Sequence, residues 1–185
     1  FERTVERIRI KDAQASGGYR DEELVLRRTV RGPIVSAKAL GEQGDKLLSL
    51  RTMAAELPPG GIGIDQLLVA KDAAEVDRAV QQMTLIYFNF VFVDKAGVIG
   101  HRASGAVPIR RSGQGIHPKP VLAQDDWAGT IPADQMPAQM APQRGWVATA
   151  NNDNRPDDYA FDYSSFFSPS YRYERIAQVL DAGKA

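Results

Sequence analysis

An asparagine inside an apolar, aromatic stretch is the first residue of this chain that could do chemistry. Asn89 lies within residues 87–93, whose sequence is YFNFVFV. Such a run predicts a strand over residues 84–93, in which side chains alternate between two faces. Phe88, Phe90 and Phe92 then share one face, and we expect that face to pack in a core. A buried amide without partners costs about 1–3 kcal/mol. The residues alone therefore favour an asparagine that is satisfied by the backbone of a neighbouring loop.

Other reactive side chains form no recognisable site. His101 and His117 have no carboxylates at suitable spacing, so neither a zinc site nor a Ser-His-Asp triad is expected. The absence of cysteine excludes disulfides, thiolate metal ligands and a cysteine nucleophile. Residues 153–162 are rich in aspartate but lack an EF-hand pattern, which favours a solvated loop over a calcium site. We expect no metal and no cofactor within this chain.

Composition argues against two classes of partner. The chain has 185 residues, with 23 basic and 23 acidic side chains and a formal net charge of zero. No overall field therefore favours nucleic acid or an anionic membrane. No apolar run reaches the roughly 18 residues that a membrane span needs. We expect neither a nucleic-acid partner nor a membrane partner.

Periodicity predicts a mixture of strands and helices. Alternating residues indicate strands over 4–10 and 23–31, with a turn at Gly17-Gly18, and further extended segments at 34–35 and 47–51. Asp72, followed three positions later by Glu75, resembles a capping box. The helix that it predicts has one apolar stripe, formed by Val76, Ala79, Val80 and Met83.

The second half of the chain contains more loop. Residues 98–101 are expected to pair with the 84–93 strand, and residues 105–142 are expected to be mostly loop. A short strand is predicted at 146–150, followed by a polar loop over 151–159. A last helix is predicted with Ser168 as N-cap and Pro169 at its first position, and with an apolar side formed by Ile176, Val179 and Leu180.

The order of several motifs resembles the penicillin amidase family of N-terminal nucleophile hydrolases. The motifs are NFVFVD at 89–94 with GVIG at 97–100, GAVPIR at 105–110, DWAGTIP at 126–132, and GWVATANN at 145–152, followed by YR at 171–172 and RI at 175–176. The resemblance spans nearly the whole chain and is most pronounced from Asn89 to Ile176. A more diffuse match covers residues 29–34, where Arg31 replaces a histidine that is common in the family, so any role of that histidine does not transfer.

This resemblance assigns roles to particular residues. Asn89 matches the family asparagine whose side-chain amide lines the oxyanion hole, and Arg110 matches an arginine beside the nucleophile. Neighbours in an extended run point to opposite sides, so we expect Arg110 to face the site and Arg111 to reach solvent. We also expect Arg110 to contact amide or carbonyl oxygens, such as those of the Asn151-Asn152 turn. Asn151 and Asn152 either support the active-site wall or serve only as turn residues.

The resemblance also implies a fold, an activity and partners. The fold is α+β, an antiparallel, sheet-rich fragment of an αββα sandwich. Residues 1–185 form a single fragment of an acylase β-chain, with a sub-boundary indicated near residues 58–61, whose sequence is PPGG. The activity is hydrolysis of a non-peptide C–N amide bond through an acyl-enzyme. The nucleophilic serine is expected upstream of Phe1, which would leave the fragment inert alone.

The parent enzyme supplies the remaining expectations. Its other α- and β-chain segments and a small amide substrate are the implied partners. It is expected to bind calcium through ligands that lie mostly upstream of Phe1. A periplasmic or secreted location follows from the resemblance, whereas a cysteine-free chain suits the cytosol equally. The acyl group is left open, since β-lactam side chains, acyl-homoserine lactones and other amides all fit the family.

A non-catalytic function is the alternative. Exposed Trp, Tyr and Asn side chains in the 105–163 loops could form a carbohydrate- or peptide-binding surface, or a structural module. A sequence that begins with serine shortly before Phe1 would favour the hydrolase over this alternative.

Overall fold

The structure, a computed structural model, describes residues 2–35, 47–57, 62–120, 122 and 126–183. Its elements are antiparallel strands and a few helices, so the predicted α+β class is confirmed. The chain divides into two compact units, Phe1–Glu56 and Leu57–Ala185. The sub-boundary expected near residues 58–61 and the loop predicted at 41–45 lie outside the described residues.

A four-stranded antiparallel sheet makes up most of the first unit. Its strands follow one another in chain order: β1 (Glu2–Lys11), β2 (Tyr19–Thr29), β3 (Gly32–Val35) and β4 (Leu48–Ser49). A short helix, α1 (Met53–Glu56), follows. A strand is present in each predicted segment, although β2 ends at Thr29 and β4 covers only two residues. The long β1–β2 hairpin is exposed along most of its length. Ile8, expected to be half-buried in its strand, is 43% exposed.

Two helices open the second unit, α2 (Ile64–Val69) and α3 (Ala73–Gln81). The predicted cap of α3 is confirmed, because the Asp72 carboxylate accepts from the backbone N–H of Glu75 at 2.8 Å. The Glu75 carboxylate reaches back to the N–H of Lys71 at 2.8 Å, one residue earlier than in a capping box. Val80 and Met83 of the predicted apolar stripe are fully buried.

The strands of this unit form two small antiparallel sheets. One contains β5 (Asn89–Val93), β6 (Ile99–Ala103) and β9 (Ala138–Met140), with β6 in the middle. The other pairs β7 (Pro108–Arg110) with β8 (Trp127–Thr130), and a 3₁₀ turn covers Ala133–Gln135. The described part of the 105–142 region therefore has more regular structure than predicted. Val107, Ile131 and Met136 of this region form a core cluster with Ala103 of β6.

The strand predicted over 84–93 begins only at Asn89. The preceding residues instead run along residues 104–106, with backbone bonds from Gly105 to Met83 and from Ala106 to Thr84. The Ser104 hydroxyl donates to the carbonyl of Ile86 at 2.5 Å. These bonds satisfy the backbone without a strand ladder. Phe88 consequently lies outside the strand and is 66% exposed, so the prediction of a core face made of three phenylalanines is wrong at this residue.

The final segment also departs from prediction. Residues 146–150 are not a strand. The last helix, α4 (Tyr171–Ala182), begins after Ser170 instead of Ser168, and the N–H of Ser168 donates to the carbonyl of Asn151. Its expected apolar side remains largely open, with Val179 at 53% exposure. None of the helices in the described part of the chain has the length and apolar character of a membrane span.

Candidate active site

The β5–β6 register brings Asn89 next to a histidine. Asn89 opposes Ala103, and Val91 opposes His101. Side chains that are two residues apart share a face of the sheet, so Asn89 and His101 are diagonal neighbours on one face. Long polar side chains can meet across such a diagonal. The strand pairing thus places an imidazole within reach of the Asn89 amide.

Two side chains hold the Asn89 carbonyl oxygen. His101 Nε2 lies 2.9 Å from Asn89 Oδ1, and Asn154 Nδ2 donates to the same oxygen at 2.7 Å. Asn154 belongs to the loop that follows the Asn151-Asn152 turn. The partners of Asn89 are therefore side chains, not the loop backbone that the sequence favoured. The polar loop approaches the sheet closely enough to provide one of them.

The amide nitrogen of Asn89 is left available. Both of its hydrogen bonds to the described part of the chain are made by Oδ1, and Nδ2 has no acceptor there. Asn89 is half-buried, and its nitrogen is not among the buried polar atoms that lack a partner. An accessible N–H₂ group beside a fixed carbonyl oxygen can donate to an incoming oxygen atom.

His101 is buried as a neutral imidazole. His101 is only 4% exposed. Burial, with smaller contributions from the positive charges of Arg102 and Arg144, lowers the pKa of His101 to about 4. A neutral imidazole has one N–H. When that proton is on Nε2, it donates to Asn89 Oδ1, and the 3.2 Å separation from Asn154 Nδ2 is a close approach of two donors.

Asn151 and Asn152 shape the turn that leads to Asn154. Asn151 has a φ of 60°, a left-handed conformation that asparagine tolerates. Arg172 of α4 donates to the Ala150 carbonyl at 2.6 Å and to Asn151 Oδ1 at 3.0 Å. The buried Asn152 accepts from the N–H of Ala150 within the same turn. Neither asparagine has a hydrogen bond to Asn89 within the described residues.

Arg110 and Arg111 diverge as expected, but Arg110 has different surroundings from those predicted. Arg111 is exposed, whereas Arg110 is half-buried and lines a cavity of about 230 Å³ with Arg155 and Tyr159. In the described part of the chain, Arg110 makes no hydrogen bond to Asn89 or to the Asn151-Asn152 turn. The oxygens of that turn accept from Arg172 instead.

Arg155 lies between that cavity and a second one. The second cavity, of about 160 Å³, is lined by His101, Asn154 and Arg155 among others. Arg155 pairs with Asp153 at 2.6 Å and lies over the Phe167 ring. Hydrogen bonding to this guanidinium lowers the pKa of Asp153. The two cavities therefore share one fixed cation.

The described residues do not by themselves provide a metal centre. Within them, no three His, Cys, Asp or Glu side chains come together in a way that could hold a metal ion. Of the aspartates in the 153–162 loop, Asp153 is already paired with Arg155. The residues that are present therefore do not fit a calcium site of their own, and no chemical step is assigned to calcium.

Sequence reasoning missed the two partners of Asn89. The hairpin prediction contained the signal for His101, because pairing 89–93 with 99–103 across a turn places residues 89 and 101 on one face. The position of Asn154 depends on the fold of a long loop and had no such signal. Arg172 entered the sequence analysis only as part of the motif at 171–172, and its bonds to the Asn151-Asn152 turn were not predicted.

Comparison with known proteins identifies the family. The Penicillin amidase family model matches residues 1–185. The chain belongs to the penicillin amidase family. Among its relatives is the penicillin acylase 2 proenzyme of a Pseudomonas species (strain SE83), which is 31% identical over 176 residues, covering 95% of this chain and 22% of that protein.

Other members of the family show the same partial coverage. Acyl-homoserine lactone acylase QuiP of Pseudomonas aeruginosa is 30% identical over 179 residues, which cover 91% of this chain and 21% of that protein. Penicillin G acylase of Escherichia coli is 29% identical over 95% of this chain and 20% of its own length. The chain thus spans about a fifth of the length of these relatives.

A solved structure supports the fold. The thermostable penicillin G acylase from Alcaligenes faecalis matches with a TM-score of 0.69 and 24% identity. The match covers 98% of this chain and 31% of the solved chain. The fold of this chain therefore matches that of a segment of the solved penicillin G acylase.

Proposed function

We propose that this chain is a β-chain segment of an amide hydrolase that cleaves a non-peptide C–N bond, and that Asn89 stabilises the oxyanion. The anchored Asn89 amide carries this proposal, because Asn154 Nδ2 donates to its oxygen and His101 Nε2 lies 2.9 Å from the same atom, while its nitrogen remains available. Membership of the penicillin amidase family supports the reaction class. A serine with a free α-amino group, outside this chain, would act as the nucleophile.

The proposed reaction requires Asn89 to donate a hydrogen bond to the oxyanion. The serine hydroxyl attacks the substrate carbonyl carbon while the α-amine takes its proton. The carbonyl π electrons move to oxygen, and that oxyanion accepts a hydrogen bond from Asn89 Nδ2. As the intermediate collapses, the α-ammonium returns its proton to the leaving nitrogen, the C–N bond breaks and the amine departs. Water then attacks the acyl-serine ester and releases the carboxylic acid and the free serine. A donor aimed at the oxyanion contributes about 3–4 kcal/mol to the transition state.

The substrate is a small amide. Relatives include both penicillin acylases and acyl-homoserine lactone acylases, so a β-lactam side chain and an N-acyl homoserine lactone are the two substrate classes to test first. The remaining α- and β-chain segments of the parent protein would complete the pocket. A periplasmic or secreted location, calcium binding by the parent through ligands outside this chain, and inactivity of the isolated segment belong to the same proposal.

The alternative, a binding or structural module, has less support from the geometry. It calls for exposed aromatic side chains in the 105–163 loops. Trp146 is instead buried, with its indole N–H bonded to Asp181 at 2.7 Å. Trp127 and Tyr159 are half-buried.

Two substitutions at residue 89 test the proposal in the full-length protein that contains this segment. Asn89→Ala removes the donor, and Asn89→Asp removes it while keeping an oxygen for His101 and Asn154. Both should lower kcat by about 10²–10³ with a smaller effect on KM, measured with chromogenic amides of both substrate classes. Thermal unfolding should change little for Asn89→Asp. Normal kcat in both variants would remove Asn89 from the oxyanion hole.

The isolated 185-residue chain provides a second test. It should hydrolyse the same amides only at the background rate. Turnover that disappears on substitution of a residue within the chain would contradict the need for an outside nucleophile.

A further inference from the structure

We propose that His101 and Asn154 are positioning residues that hold the Asn89 carboxamide by its oxygen and thereby fix the direction of its N–H₂ group. This inference rests on the proposed role of Asn89 and adds to it the two side chains that determine how the amide is oriented. Neither residue needs to touch the substrate. Their effect on the reaction would pass entirely through Asn89.

The need for such support follows from the chemistry of an amide. The last torsion of an asparagine side chain is broad and roughly two-fold, so an unsupported carboxamide can turn its oxygen towards the site. In that orientation it would repel an oxyanion instead of donating to it. With the His101 proton on Nε2, two donors contact Oδ1, at 2.7 and 2.9 Å, and the productive orientation is the one with satisfied hydrogen bonds. The flipped amide would place N–H₂ against the His101 N–H and Asn154 Nδ2.

The two supports come from different parts of the second unit. His101 lies on β6, the central strand of its sheet, and its position is fixed by pairing with both β5 and β9. Asn154 lies in the loop beyond the Asn151-Asn152 turn, which Arg172 holds from α4. A strand and a loop therefore meet at Asn89 Oδ1, and a helix holds the turn from which that loop continues. This convergence gives the Asn89 amide less freedom than a single bond would.

The surroundings of His101 favour the neutral donor that this role requires. Burial, followed by the positive charges of Arg102 and Arg144, lowers its pKa and so disfavours its protonation. Gln139 and Tyr173 also line its cavity, and Arg144 bonds to both of them. The Asp153 carboxylate near the same cavity is engaged by Arg155. A neutral imidazole orients the amide without adding a full charge beside it.

The test uses a double-mutant cycle in the full-length protein. His101→Leu removes the donor, and Asn154→Asp replaces a donor with an acceptor of the same shape. Each should lower kcat by about tenfold or more, with little change in KM, because preorganisation of the oxyanion donor is lost. His101→Gln places a neutral N–H at a similar reach and should restore kcat to within about threefold of the wild type. His117→Gln, at an exposed loop position, is the control.

The cycle separates positioning from a general structural role. In an Asn89→Ala background, His101→Leu and Asn154→Asp should cause no further loss of kcat, since there is no amide to orient. Equal losses in both backgrounds would overturn the inference. If Asn89→Ala lowers kcat but neither His101→Leu nor Asn154→Asp does, the inference fails and the proposed function stands. If Asn89→Ala has normal kcat, the proposed function fails first. Should His101→Leu not fold, Asn154→Asp and His101→Gln complete the same comparison.

Discussion

Replacing His101 should change how the stability of the fold depends on pH. Burial lowers the pKa of His101 to about 4 from its ordinary value of 6.5. Between these values the unfolded chain takes up a proton that the folded chain excludes, so folding stability falls as pH falls. The imidazole should cost about 2 kcal/mol of stability between pH 7 and pH 5, and about 3 kcal/mol by pH 4. Above pH 7 it is neutral in both states, and this loss is absent.

Urea unfolding at a series of pH values measures this dependence. Trp146 is buried in the same unit and provides the fluorescence signal. His101→Gln cannot titrate, so its unfolding free energy should fall less steeply than the wild type between pH 7 and pH 5. Carboxylates that titrate in this range are common to both proteins and cancel in the comparison. His117→Gln should keep the wild-type slope. Parallel profiles for wild type and His101→Gln would refute the buried, neutral state of this histidine.

Three further substitutions test other parts of the structure. Asp77→Ala leaves the guanidinium of Arg102, whose side chain is 9% exposed, without its carboxylate. The substitution should lower the free energy of unfolding, measured in urea, by about 3–5 kcal/mol. The control Arg78→Ala, on the exposed side of α3, should lower it by less than about 1 kcal/mol. Gly105→Ala should disrupt folding, since the φ of Gly105 is 105° and an added Cβ would lie 2.4 Å from the Tyr87 ring. Circular dichroism and a thermal melt would show this loss of structure. Arg110→Lys should lower kcat of the full-length enzyme, because an ammonium group cannot replace a planar guanidinium. The control Arg111→Lys should leave kcat unchanged. Equal kinetics for the two variants would remove Arg110 from the site.

The sequence determined those features that depend on local chemistry. The alternation of residues in β1 and β2, and the Asp72 cap of α3, were predicted and are confirmed. Such elements can be predicted from the sequence because they depend on short-range hydrogen bonds and on a periodic pattern of buried residues. The order of motifs also indicated the family, which the match to the family model over residues 1–185 confirms.

Tertiary structure decided the features that depend on residues far apart in the chain. The segment before Asn89 has the composition of a strand, but bonds to residues 104–106 give it another conformation. Asn89 itself was visible in the sequence, whereas its contact with Asn154, 65 positions away, was not. The same holds for Arg172, which takes the turn oxygens expected to bind Arg110. A single hydrogen bond between distant segments leaves no periodic pattern, so only the folded chain shows which donor reaches which oxygen.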